Sequence, residues 1–432
     1  MYPRTNHSEM KYRYFLFAAA IMPVFLLLNQ CNEAESHVSC DWPSFHGHDR
    51  SNKSKETGLL KEWPEGGPEM LFAISGLGDG YSSVSFGEGL IFTAGTNGDQ
   101  SYVFAFDMNG EPVWKSPNGD SWSTSAPWAS SYTGSRSTPS YDNGRVYCLS
   151  EAGRMGVYDA RTGKEIWAKD LAKEFNAPET EYGYAESVFL EGDRLYVRPA
   201  GKTGFQVCLD KNSGELIWAN NDIPGVEGYS SAVVFEYGGF RHLTGSSSDC
   251  YYGVDITTGR LLWKVDFKNR QGLNLTDIIA KDGFVYMTSG YGKGSLMVKL
   301  KPSGESFIPE TVWQSELMDN QHGGVILHEG YLYGSGSDSR GWFCIDFLTG
   351  EKIWNHTRGK GSITYADGML YLLDERSGIM TLVKASPENY EPAGEFNVPS
   401  GGGNTYWAHP VVCGKRLYVR QWDKIFVYDI SQ

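Results

Sequence analysis

Nine polar or aromatic residues fall just ahead of apolar, β-branched stretches, each at the same point of a repeating sequence. They are Arg136, Tyr184, Glu186, Asp277, Asn320, His322, Lys360, Trp407 and His409. Brought to one spot, they would mix both charges, two imidazoles and stacking rings, a combination that suits a small polar ligand. Tyr81 and Tyr229 stand in the same slot of other copies, and the insert 115–134 adds Trp122, Trp128 and Tyr132. If the site is catalytic, Asp277 is the candidate base. Each residue also has a structural alternative. Arg136–Glu186 and Lys360–Asp277 could be ion pairs across a channel mouth, and His322 and His409 could bond to neighbouring backbone.

The elements that must position these residues follow from the repeat. "VYDARTGKEIW" (157–167) returns as "CLDKNSGELIW" (208–218), "GVDITTGRLLW" (253–263) and "CIDFLTGEKIW" (344–354), with a shorter variant, "AFDMNGEPVW", at 105–114. Aligned on the phrase, eight copies appear, anchored at Asp107, Asp159, Asp210, Asp255, Leu300, Asp346, Lys384 and Asp429. A period in the forties indicates a propeller or solenoid. Each copy reads as four short strands separated by Gly-rich turns, and helical periodicity is nearly lacking. The prediction is an all-β, eight-bladed β-propeller over 66–432. The eighth copy ends without an outer strand, whereas "PEMLFAI" (68–74) is a spare one, so the N-terminal strand is expected to close the ring against 424–430. Within the phrase, Asp159 should accept turn amides, Gly163 should supply a positive φ, and Trp167 should lie between blades.

The chain is acidic, with 38 basic and 52 acidic residues and a net charge of −14, which argues against nucleic-acid phosphates as partners. Lys11 and Arg13 precede the apolar run 14–28, a signal-peptide pattern too short for a membrane span, so 1–30 reads as an export signal. Two processing readings stay open. Cys31 follows "LLNQ" and resembles a lipidated lipoprotein cysteine, which would tie the protein to the membrane only through a lipid anchor; cleavage after "AES" (34–36) is the other. Residues 31–65 are then an N-terminal extension. The seven cysteines form no C-x-x-C motif. Cys208 and Cys344 occupy a slot for small buried residues, and the pairing of Cys40, Cys148, Cys250 and Cys413 is left open. "GLGDG" (76–80) opens no helix and is no dinucleotide loop. His46 and His48 form a lone H-x-H, too few ligands for a metal.

The phrase A-x-D-x-x-T-G-x-x-x-W resembles the tryptophan-docking motif of the pyrroloquinoline quinone (PQQ) dehydrogenase superfamily. "DWPSFHGHDR" (41–50) resembles the leader of an exported bacterial group of PQQ-like repeat proteins. That superfamily contains quinoprotein alcohol and sugar dehydrogenases. It also contains non-enzymatic propellers, such as the lipoprotein subunit of the outer-membrane β-barrel assembly machinery. The resemblance therefore implies two functions. One is a monomeric, exported binding or scaffold protein of the periplasm or outer membrane, for a saccharide or other small molecule or for an envelope protein, without a cofactor. The other is a dehydrogenase of alcohols or sugars using PQQ and Ca²⁺. In the second, Arg136 or Lys360 would meet the quinone carboxylates, Trp407 would stack, Glu186 with Asn320 would hold Ca²⁺, and Asp277 would take the substrate proton. The adjacent Cys–Cys pair of many of those enzymes is missing here, as is a haem-attachment C-x-x-C-H.

Overall fold

The computed structural model describes residues 40–432; the signal region and Cys31 lie outside the described residues. Eight antiparallel sheets, each with four consecutive strand positions, form eight blades. Blade 1 comprises Ser85–Gly87, Leu90–Asn97, Gln100–Asp107 and Pro112–Asp120. The inner strands of blades 2 to 8 begin at Ser140, Phe189, Val234, Ile279, Val325, Gly361 and Val411. Seven anchor residues end the third strand of their blade; in blade 5 that strand runs on past Leu300, over Gly294–Ser303. Ring closure is as expected: Met70–Ile74 pairs antiparallel with Lys424–Asp429, placing Phe72 opposite Val427 and Ile74 opposite Ile425.

The innermost hairpin of every blade turns through a left-handed residue. It is Glu88, Asn143, Gly192, Gly238, Asp282, Glu329, Asp367 or Gly414, all with φ between 44° and 62°. In seven blades the next residue is left-handed too, the geometry whose twist matches paired strands.

Contacts between blades explain the repeated phrase. Asp159 Oδ1 accepts from the Thr162 amide and hydroxyl, and Asp210, Asp255 and Asp346 repeat that turn. In blades 1, 2, 3 and 5 the indole N–H of the outer strand reaches into the following blade, just past its anchor. Trp114 donates to Ala160 O at 2.8 Å, Trp167 to Lys211 O at 3.1 Å, Trp218 to Ile256 O at 3.3 Å and Trp313 to Phe347 O at 3.1 Å. The turn glycine serves twice. Gly163 has φ +68°, and a Cβ there would stand 2.6 Å from the Trp114 ring; Gly214, Gly259 and Gly350 face Trp167, Trp218 and Trp313 in the same way. The ring therefore rests on the next blade's glycine, with the small residue that opens the phrase opposite it in its own sheet, as Ala105 is to Trp114 and Cys208 to Trp218. Trp263 departs from the pattern. The next copy, at Leu300, lacks the Asp and the tight turn, and Trp263 donates to His242 in its own blade at 3.0 Å, against Gly253.

Residues 40–65, read from sequence as an extension, belong to the body of the ring. Cys40 is disulfide-bonded to Cys413 of blade 8, and Cys148, Cys208, Cys250 and Cys344 are buried free thiols. Trp42 packs with blades 8 and 1, its carbonyl accepting from Phe86 N at 2.9 Å. Arg50 Nη1 reaches Ser187 O at 3.0 Å, Asn52 Nδ2 reaches Ile363 O at 2.5 Å, and Lys53–Ser54 pairs parallel with the inner strand of blade 7. Contacts with the inner edges of so many blades place this segment across the central channel.

Candidate functional site

Where the lead-in to an inner strand is extended, alternate side chains face opposite ways. One face carries a chain of hydrogen bonds from blade to blade. Ser83 N donates to Thr138 Oγ1 (3.0 Å), Thr138 N to Ser187 Oγ (2.8 Å), Ser187 N to Ser231 Oγ (3.0 Å) and Ser231 N to Asp277 Oδ1 (2.6 Å). Three of the acceptors are hydroxyls; the fourth is a carboxylate. Asp277 thus meets the structural need with one oxygen and keeps a second, Oδ2, which has no aligned hydrogen-bond donor.

A cavity of about 390 Å³ opens at this level. Arg136, Asp277, His322, Trp407 and His409 line it, so five of the nine residues read from sequence come together. The other four do not, and the strand alternation accounts for two. Ala185 and Ser187 face the cavity, which turns Tyr184 and Glu186 into the blades. Tyr184 donates to Pro199 O at 2.9 Å in the core between blades 2 and 3. Glu186 is fully buried and accepts from Arg198 N at 2.7 Å. Asn320 ties its own loop, donating to Gly324 O and Ser335 O at 3.1 and 2.9 Å. Lys360 bonds Gln321 Oε1 at 2.6 Å and pairs with Glu375 at 3.3 Å. Neither Arg136–Glu186 nor Lys360–Asp277 is an ion pair.

The cavity wall is aromatic. Tyr132, from the insert, stacks on Trp407 with centroids 5.6 Å apart and planes 18° apart, and Tyr81 packs on Trp407 at 5.0 Å. Tyr182, Tyr229 and Tyr291 continue the wall, and Phe45 and His322 complete it. Trp122 instead anchors the insert, donating to Thr180 O at 3.1 Å, and Trp128 is 67% exposed. The Arg136 guanidinium lies 5.3 Å from the Trp122 centroid and 5.7 Å from that of Tyr81, bonded to Gly134 O and Tyr132 O.

The floor holds a residue that sequence reasoning set aside. His46 is buried, with its Nε2 2.9 Å from His409 Nδ1 and its Nδ1 3.2 Å from Asp277 Oδ2. The network assigns the protons. His409 Nε2 lies 2.8 Å from His322 O, a pure acceptor, so Nε2 carries the hydrogen and Nδ1 accepts from His46 Nε2–H. Burial holds His409 well below the usual imidazole range, with the His46 charge adding to the effect. His46 Nδ1 is left beside the Asp277 carboxylate with no aligned hydrogen bond between them. Beside it, burial lowers Arg50 to about 10 against the raising effect of Asp277 and Glu186. At the rim, burial pushes the Glu375 carboxyl up, but His322 and Lys360 more than reverse this, leaving it at about 2. His48 is exposed, and among the described residues no group of three His, Cys, Asp or Glu side chains is placed to hold a metal.

Phe45 escaped sequence reading, and His46 was read only as half of a lone H-x-H, because their segment carries no repeat register. Asp277 had a readable signal in its aligned slot, where a hydroxyl stands in the four preceding blades.

Several curated proteins are similar to parts of the chain. Tetrathionate hydrolase of Acidithiobacillus ferrooxidans is 21% identical over 307 residues, covering 68% of this chain and 51% of that protein. Outer membrane protein assembly factor BamB of Moranella endobia is 23% identical over 261 residues, covering 56% and 63%. The chain therefore spans between about half and just under two thirds of the length of these relatives. Among solved structures, BamB from Moraxella catarrhalis aligns with a TM-score of 0.59 at 16% identity, over 84% of this chain and 99% of that one. Quinohemoprotein alcohol dehydrogenase from Comamonas testosteroni aligns with a TM-score of 0.58 at 11% identity, over 90% and 80%. These identities speak for the fold alone. Residues 99–356, more than half of the sequence, match the family model described as outer membrane protein assembly factor BamB, and the chain belongs to this family of PQQ-like β-propeller repeat proteins.

Proposed function

We propose that this protein is an exported binding propeller that holds a saccharide in the cavity at the channel mouth. The observation that carries the reading is the pairing of an aromatic wall, Tyr132–Trp407–Tyr81, with the Asp277 carboxylate, set against His46, beneath it. Aromatic faces take the apolar faces of sugar rings, and a carboxylate accepts hydrogen bonds from sugar hydroxyls. Arg136 supplies a cation at the rim. The Cys40–Cys413 bond favours an oxidising compartment and therefore export. A lipid anchor at Cys31 belongs to the same proposal.

The dehydrogenase reading is the weaker one, because the residues present do not fit its cofactors. Glu186 and Asn320, the pair read for Ca²⁺, lie off the cavity wall with backbone partners. Lys360 is committed to Glu375 and Gln321, which leaves Arg136 as the single Lys or Arg on the wall for a planar tricarboxylate. Membership of the BamB-described family favours one further reading, docking of an envelope protein, and it does not compete for the same cavity.

Calorimetric titration with neutral oligosaccharides tests the proposal, alongside dye reduction with PQQ and Ca²⁺. Binding that Trp407→Ala abolishes at unchanged melting temperature supports it. Turnover of alcohols or sugars, with no binding in the absence of PQQ, would replace it with the dehydrogenase.

A further inference from the structure

The mouth cavity has a larger neighbour. A hollow of about 560 Å³ lies against it, and the two share Tyr229 and Leu273 as walls. Tyr229 is the divider. Its φ is +75°, a conformation that a bulky residue keeps only when its surroundings impose it. The backbone N–H of Tyr229 donates to Glu227 Oε1 at 3.3 Å, which ties the divider to the hollow's deepest carboxylate.

The walls of the hollow are unevenly charged. Glu179, Glu181, Glu227 and Asp249 face Lys268 and Arg270. Both cations already have partners: Lys268 Nζ is 2.7 Å from Asp249, and Arg270 Nη2 is 3.0 Å from Asp338, which is not on the wall. Two carboxylates, Glu179 and Glu181, remain without a cation, and a third, Glu227, is paired with Arg198 inside the wall. Glu179 and Glu181 accept from Ser125 N and Trp128 Nε1, neither of which carries charge. The Glu227 side chain is only 2% exposed. Its Oε1 lies 3.3 Å from Arg198 Nη2, and its Oε2 has no hydrogen-bond partner. The hollow thus offers acceptors and surplus negative charge beside an unsatisfied buried oxygen. Phosphates and uronates are repelled there, whereas an ammonium brings three donors and the missing charge.

We propose that this hollow is a second subsite that takes the ammonium group of an amino sugar, so that the ligand is an oligosaccharide bearing free amines and bridges both cavities. This rests on the saccharide reading of the mouth cavity. Tyr229, shared by both, would pack between consecutive sugar rings.

Three ligand series with one backbone chemistry separate the two ideas: oligomers of glucosamine, their N-acetylated counterparts and cello-oligosaccharides, titrated calorimetrically into the full mature protein at about pH 6, where the amines are charged. The glucosamine series is expected to bind about tenfold more tightly than either other series. Glu227→Gln should erase that preference. Because Glu227 is buried and its variant risks misfolding, the double variant Glu179→Gln/Glu181→Gln, on the more open part of the wall, should also reduce it. Trp407→Ala should weaken all three series alike. Equal affinities in the wild type, or a preference kept in both carboxamide variants, would overturn the second subsite and leave the mouth reading standing. Glucosamine binding untouched by Trp407→Ala would overturn the mouth reading instead. Equally tight binding of oligolysine would make the hollow a general cation trap and overturn the amino-sugar assignment; no binding in any series would overturn both.

Discussion

Trp218→Ala tests the mortar between blades where it can be worked out most fully. Trp218 is 9% exposed, lies against Gly259 of blade 4 and donates to Ile256 O at 3.3 Å. Roughly 200 Å² of buried ring at about 25 cal/mol per Å² sets an upper bound near 5 kcal/mol. Truncations of buried Trp cost about 3–5 kcal/mol, and the gap between rigid sheets has little room to collapse. In a body of nearly 400 residues, about 2.1 cal/mol/K per residue converts 4 kcal/mol into a fall in melting temperature of about 5 °C. Trp218→Phe separates the two contributions: it keeps most of the packing and leaves the Ile256 carbonyl without its donor, which costs about 1–3 kcal/mol. Trp128, 67% exposed, is the control, and its truncation should change stability by about 0.5 kcal/mol or less. The assay is urea denaturation followed by circular dichroism. A Trp218→Ala cost below about 1 kcal/mol, or one equal to that of Trp128→Ala, would refute the account.

Two further predictions concern buried chemistry. Burial raises the Glu186 carboxyl to about 7, against the lowering effect of Arg198, from an ordinary value of 4.5. Between those values the folded protein keeps a proton that the unfolded chain has lost, so this group's contribution to stability falls as pH rises through the window and stays low above it. Glu186→Gln should therefore gain about 2–3 kcal/mol over the wild type at pH 8 and little at pH 4.5; a difference independent of pH, measured by denaturation at both values, would contradict this. The Cys40–Cys413 bond spans 373 residues, and replacing both cysteines by serine should cost about 2–5 kcal/mol and open residues 40–54 to proteolysis. A non-reducing peptide map without a 40–413 linkage would remove the basis for that expectation.

Most of the fold is readable in the sequence because each blade must solve one packing problem with the same residues. Asp159 and its equivalents bind the turn, Gly163 clears the neighbouring indole, and Trp114 or Trp167 fills the gap. The closing strand shows as a surplus strand at one end and a deficit at the other. Where a copy lacks the Asp and the tight turn, as around Leu300, the preceding Trp263 finds a different partner, and that partner could not be foreseen. The site is half readable. Its position in the lead-in segments follows from the repeat, but facing depends on a period of two that a one-residue error inverts, which is why Tyr184 and Glu186 point into the blades while Ala185 and Ser187 face the cavity. His46 and Arg50 were hidden because a segment crossing a channel follows the channel's contours and no period of its own.

The most direct measurement of the central claim is the affinity of a neutral oligosaccharide for the wild type and for Asp277→Asn. Asparagine keeps Oδ1 for the Ser231 amide, so the chain of hydrogen bonds around the mouth and the melting temperature should hold. The second carboxylate oxygen, beside His46, is what changes. A hydrogen bond to a charged acceptor contributes about 1.5–3 kcal/mol, so calorimetry should show affinity falling by roughly ten- to a hundredfold. Unchanged affinity in Asp277→Asn, or no oligosaccharide binding by the wild type, would contradict the claim that this mouth is a saccharide site.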